Sequence, residues 1–164
     1  MIELVSITQP YFWIKTFHVI GAAVLLGTGF GSAFFKLWAD RSKDLPAMTF
    51  TAKTVVMVDW IFTAPAVMLQ LLTGLAMVWL GGFSLTEAWL VLTMGFFVLT
   101  GLCWLPALYI QIRCRDMAME SSRSGAALPD EYRRLSRLWF WLGVAGFTSV
   151  WIIVGLMVMK PAWA

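Results

Sequence analysis

Charge is scarce in this chain. Of 164 residues 13% are charged and 60% are apolar, whereas a soluble domain of this size carries roughly 25% charged residues to cover its surface. That shortage excludes a disordered chain and a nucleic-acid-binding domain. Cysteine occurs twice, which excludes a secreted disulfide scaffold. There is no CxxC or CxxCH, so neither a zinc ribbon nor covalent c-type haem attachment is encoded. Cys103 and Cys114 sit on one helical stretch, about 16 Å apart by helical rise, so they cannot bridge each other. No HExxH, P-loop, GxSxG or His/Asp cluster occurs, which removes the visible equipment for hydrolysis and nucleotide-driven chemistry.

What fills the chain instead is apolar bulk, with ten tryptophans, twelve phenylalanines and a mean hydropathy of +0.80. It falls into four runs, about 11–37, 55–80, 89–112 and 138–159, each long enough to cross the ~30 Å hydrocarbon layer as a helix. Trp13, Trp38, Trp60 and Trp79 lie near run ends, where indoles anchor at the membrane interface. The first run is too long for a signal peptide and has no basic leader, so it is expected to stay as a membrane helix. Short connections favour antiparallel neighbours. The expected fold is therefore an all-α membrane protein, a four-transmembrane-helix antiparallel bundle forming one domain over residues 1–164. Pro65 predicts a kink in the second span. Leu45-Pro46 and Pro129-Asp130-Glu131 read as fresh helix starts. Gly27 and Gly31 form a GxxxG pair, which predicts a close helix contact within the bundle or between protomers.

The few charges are unevenly placed. Ten of the twelve basic residues fall in the connections 38–54 and 113–137 or at their edges: Lys36, Arg41, Lys43, Lys53, Arg113, Arg115, Arg123, Arg133, Arg134 and Arg137. Only Lys15 and Lys160 lie at the opposite level. The positive-inside rule then makes both connections cytoplasmic loops and puts both termini outside. The basic excess reads as orientation and contact with anionic membrane lipid rather than affinity for nucleic acid.

His18, the single histidine, falls about 10 Å into the first span. An ionisable group at that depth faces the protein interior or a water-filled cavity. Gly21 and Ala22, one turn further, would leave a flat shelf beside the imidazole, room that a planar macrocycle needs next to an axial ligand. In an antiparallel bundle Met77, Met94 and Met157 come level with His18, and a thioether is a reasonable second ligand for haem iron. Lys15 lies one turn outward and could meet an acidic propionate. Packing accounts for the same residues as well: an imidazole bonded to a carbonyl or threonine, methionines as filler, and a lysine reaching to the headgroups. Lys160 carries the same two readings.

Asp59 is the one carboxylate inside a span. It is expected to form a structural ion pair with Arg113 or Arg115, or with Lys36; a proton relay is the competing reading. Gln70, Thr63, Thr73 and Thr100 could line a polar track or bond between helices.

The run Tyr11-Phe12-Trp13-Ile14-Lys15-Thr16-Phe17-His18 resembles the opening of the HemJ-type protoporphyrinogen oxidases, and a similar opening occurs near the CopD-like copper-resistance proteins. The HemJ resemblance implies b-type haem on His18 with Lys15 beside it, and oxidation of protoporphyrinogen IX. Over nearly its full length the chain resembles an uncharacterised family of bacterial integral membrane proteins, a domain of unknown function. The matching segments are Leu26-Gly27-Thr28-Gly29-Phe30-Gly31, Asp59-Trp60-Ile61-Phe62-Thr63-Ala64-Pro65-Ala66, Cys103-Trp104-Leu105-Pro106, Gln111-Ile112-Arg113-Cys114-Arg115 and Met159-Lys160-Pro161. Two functional readings stand side by side. One is a multi-pass inner-membrane haem b redox protein, a membrane oxidoreductase if it is an enzyme, working with a second copy or another membrane redox protein. The other is an accessory or small-solute-handling membrane protein without cofactor.

Overall fold

The computed structural model describes residues 10–161. Every regular element in that range is helical: α1 Pro10–Ser42, α2 Leu45–Val58, a π-helical turn Asp59–Thr63, α3 Ala64–Leu80, α4 Ala88–Ser124 and α5 Asp130–Met159. Because α2, the π-turn and α3 run on without a break, the chain makes four rods, each long and apolar enough to cross a membrane. The helices extend past the apolar runs, so the basic connections are mostly helix, leaving short links around Lys43 and Gly125.

Local chemistry sets these ends. Asp44 caps α2, its side chain accepting the Ala47 N–H, and Pro46 sits in the first turn, where no N–H is needed. Gly125 ends α4 at φ 70°, a left-handed stop that glycine adopts without a Cβ penalty. Pro65 lacks an N–H and disfavours the α-helical bond to Ile61, four residues back. The chain responds with the π-turn, in which the Ala64 N–H bonds to Asp59 O.

Neighbouring rods run antiparallel. His18 meets Thr73 and Thr28 meets Thr63 across α1 and the second rod. Thr49 donates to the Ala118 carbonyl between α2 and α4. Arg113 of α4 reaches Glu131 of α5. Phe30 packs on Phe147 between α1 and α5, with ring centroids 4.7 Å apart. One end of the bundle holds the basic links, and the other holds the beginning of α1 and the end of α5. Around the outside, large apolar side chains stand exposed: Trp79 is 81% exposed, Phe35 65% and Trp38 66%. Only a lipid solvent accepts such a surface at little cost.

The GxxxG pair makes no close helix contact within the bundle. A Cβ built on Gly27 or Gly31 would meet nothing within 4 Å. The close approach is at Gly29, on a different face, where a Cβ would come to 2.3 Å of the Phe147 ring. An aromatic side chain, rather than a helix backbone, occupies the space that glycine leaves.

Candidate functional site at the terminal end

At the end that holds the start of α1 and the close of α5, the four rods part around a cavity of about 390 Å³. Its size lies within the range of small-molecule and cofactor sites. Lys15 and His18 of α1, Gly74 and Met77 of α3, Met94 of α4, and Met157 of α5 line it. Helical rise brings these residues to one level although they are up to 142 positions apart in the chain.

His18 is positioned from three sides. Its Nδ1 is 2.8 Å from Thr73 Oγ1. Thr73 Oγ1 also donates to the Leu69 carbonyl at 2.5 Å. A hydroxyl has one proton, and the short contact to Leu69 takes it. The Thr73 oxygen is then an acceptor, Nδ1–H donates to it, and Nε2 keeps its lone pair. Among the described residues Nε2 has no protein partner, and it is not one of the buried polar atoms sealed away from any. Gly74 faces the ring: a Cβ there would lie 3.4 Å from His18 Cε1, an ordinary contact. Gln70 Nε2 donates to the His18 carbonyl at 2.6 Å, clamping this turn of α1 to α3.

The rim is cationic and aromatic. Lys160 closes α5 at φ 41°, in the left-handed region. Its Nζ sits 4.3 Å from the Phe83 ring centre and 5.3 Å from that of Trp89, a cation–π cage. Trp89 is fixed in turn by an Nε1–H bond to Glu87. Lys15 is exposed beside the cavity and has no carboxylate partner among the described residues. Two ammonium groups and one available imidazole nitrogen therefore face the same space as three thioethers.

Two expectations need correction. Gly21 and Ala22 do not form a shelf in the cavity: a Cβ on Gly21 would collide with Gln70 Nε2 at 2.5 Å, and neither residue is part of the lining. The small residue beside the imidazole is Gly74, on the facing helix. Asp59 pairs with neither Arg113 nor Arg115. Arg113 reaches Glu131 at 3.5 Å, and Arg115 holds Asp116 at 2.7 Å. Lys36 is taken as well, by Asp40 at 2.7 Å. Rotation explains this. The buried face of α4 carries Ala107, Gln111, Cys114 and Ala118, so Gln111 turns toward Asp59 while Arg113 and Arg115 point away.

The sequence reading missed a second polar cluster at the basic end. Lys36, 2% exposed, donates to Asp40 Oδ2 and, at 3.1 Å, to Ser136 Oγ. Tyr132 donates to Asp40 Oδ1 at 2.6 Å, and Ser136 to Asp40 Oδ2. Lys36 Nζ also lies 5.1 Å from the Tyr132 ring centre and 5.2 Å from that of Trp139. The signal was present as two i,i+4 pairs, Lys36 with Asp40 and Tyr132 with Ser136, each on one face of its helix.

Long lipid-facing helices around a mainly apolar cavity with a few polar groups define an integral membrane protein of four spans. The chain belongs to the family described as predicted integral membrane protein (DUF2269), matched over residues 12–161. No curated protein and no solved structure matches it.

Proposed function

We propose that this chain is a b-type haem redox protein of the bacterial inner membrane, with the pigment seated in the terminal-end cavity. One observation carries the reading: Thr73 Oγ1, which donates to Leu69 O, lies 2.8 Å from His18 Nδ1, so it can accept the Nδ1–H bond that leaves Nε2 available beside the cavity. An orienting bond on the far ring nitrogen is what an imidazole ligand ordinarily has. The remaining lining fits the same group. Met77, Met94 and Met157 supply thioethers as candidate second ligands. Lys15 and Lys160 supply ammonium partners for two carboxylates. Phe83, Trp89 and Val158 supply apolar wall. Haem bound there would provide one-electron chemistry, and the fold would provide ligation, burial and orientation. The resemblance of the opening run to HemJ-type proteins supports ligation by His18. The proposal extends to electron exchange with another membrane component and stops short of protoporphyrinogen oxidation, for which the cavity offers no separate residue. The positive-inside rule puts this cavity on the outer side.

The cofactor-free, solute-handling reading draws on Asp59, Gln70 and the proline-interrupted helices. It loses Gln70, whose amide is engaged with the His18 carbonyl.

The test is an absorption spectrum of the detergent-purified full-length protein, expressed with haem supplied. We expect a Soret band that His18→Ala abolishes and that Thr73→Val shifts or weakens while His18 remains. A colourless wild-type protein would discard the proposal.

A further inference from the structure

Asp59 is left unexplained by the cavity. It is 6% exposed, lies in the π-turn, and has the Thr63 and Gln111 side chains against its carboxyl. Among the described residues no ion pair reaches it. Lys53 of α2 is exposed and, six residues back, lies on another face of the rod. From α1 comes Thr28, whose hydroxyl is 3.4 Å from that of Thr63. Lys36, two turns beyond on α1, is held by Asp40. From α4 come Gln111 and, one turn on, the thiol of Cys114. Arg113 and Arg115 are paired elsewhere.

Hydrogen-bond accounting then gives a specific result. Asp59 Oδ2 and Gln111 Oε1 are both buried and both without a partner. Both are acceptors when the carboxyl is ionised, so as placed neither can satisfy the other. The amide of Gln111 can be turned end for end, because its oxygen and nitrogen are interchangeable in shape. With Oε1 toward Asp59, one proton on Oδ2 provides a donor for both orphaned atoms at once. A lone carboxylate at this depth would otherwise be costly, and intramembrane carboxyls of this kind mark proton or ion pathways. π-Turns also recur at functional positions.

We propose that Asp59 and Gln111 form an intramembrane proton-binding site, with one exchangeable proton shared between Asp59 Oδ2 and Gln111 Oε1. The site is built from α4 and the π-turn and uses no residue of the terminal-end cavity. It stands whether or not the protein binds haem.

Infrared spectroscopy of the full-length purified protein at neutral pH, in H₂O and D₂O, tests it. The expected result is a carboxylic-acid C=O band that moves in D₂O and is lost entirely in Asp59→Asn. The asparagine copies the shape of the protonated side chain, so this variant should melt at the wild-type temperature. Gln111→Leu removes the acceptor and should raise the band frequency without abolishing the band. It supplies an independent reading if Asp59→Asn is not recovered. Absence of the band in wild type, or its survival in Asp59→Asn, overturns the proposal. So does a band that is missing while sodium chloride, against choline chloride, raises the melting temperature; that outcome assigns the site to an alkali cation.

Discussion

The two ends of the bundle use their polar atoms in opposite ways. At the basic end Lys36, Asp40, Tyr132 and Ser136 satisfy one another, and Cys114 and Ala118 beside them are fully buried. At the terminal end His18 keeps a nitrogen without a partner among the described residues, and two lysines stand at the edge of a cavity. A closed network fixes geometry, whereas groups held in place but left unsatisfied are prepared for something that the chain itself does not contain. The difference separates the part that holds the rods together from the part that can do chemistry.

The largest effect should come from opening the closed end. Lys36→Met leaves Asp40 without its cation and should cost about 3–5 kcal/mol, the usual result of removing one partner from a buried pair. Lys15→Met at the open end should change stability by no more than about 0.5 kcal/mol, as expected for an exposed side chain without a partner. Thermal unfolding of both variants in one detergent compares them, and equal losses would erase the contrast. Tyr132→Phe removes the hydroxyl bonded to Asp40 but keeps the ring beneath Lys36. It should cost about 1–3 kcal/mol, the range for a hydrogen bond to a charged group, measurable by the same melts. A smaller effect, though above that of Lys15→Met, is expected from Lys160→Ala, which gives up the contact with Phe83 and Trp89, about 0.5–1 kcal/mol at an exposed site. Under the haem proposal that substitution should weaken pigment retention more visibly than it lowers the melting temperature.

Depth was legible in the sequence and rotation was not. Helical rise and antiparallel order were enough to bring His18, Met77, Met94, Met157, Lys15 and Lys160 to one level, because both depend only on counting residues from the span ends. Facing depends on how each rod is turned about its own axis, and on that the readings of Gly21 and Asp59, and the intrabundle contact of Gly27, failed. Gly21 turns toward Gln70, Gly27 turns toward open surface, and the arginines of α4 turn away from the carboxylate they were expected to meet. Thr73 shows the same division. Its place on the polar face of the second span was visible, but its role in setting the histidine tautomer follows only once Leu69 is seen to claim its proton.

The π-turn bears on that rotation directly. A helix advances about 100° per residue, so the surplus position between Asp59 and Thr63 lets the two halves of one rod aim independently. The lower half can seat Thr49 against α4 while the upper half offers Gln70 and Thr73 to α1. The turn is one residue more than a plain α-helix needs, taken up locally. Excising one residue there would restore the α-helix with both halves still facing as they do, whereas the same excision within regular α3, ahead of Gln70, would swing Gln70 and Thr73 by about 100°. The histidine keeps both tethers in the first case and loses them in the second, so the one place in this rod that tolerates a lost codon is the widened turn itself.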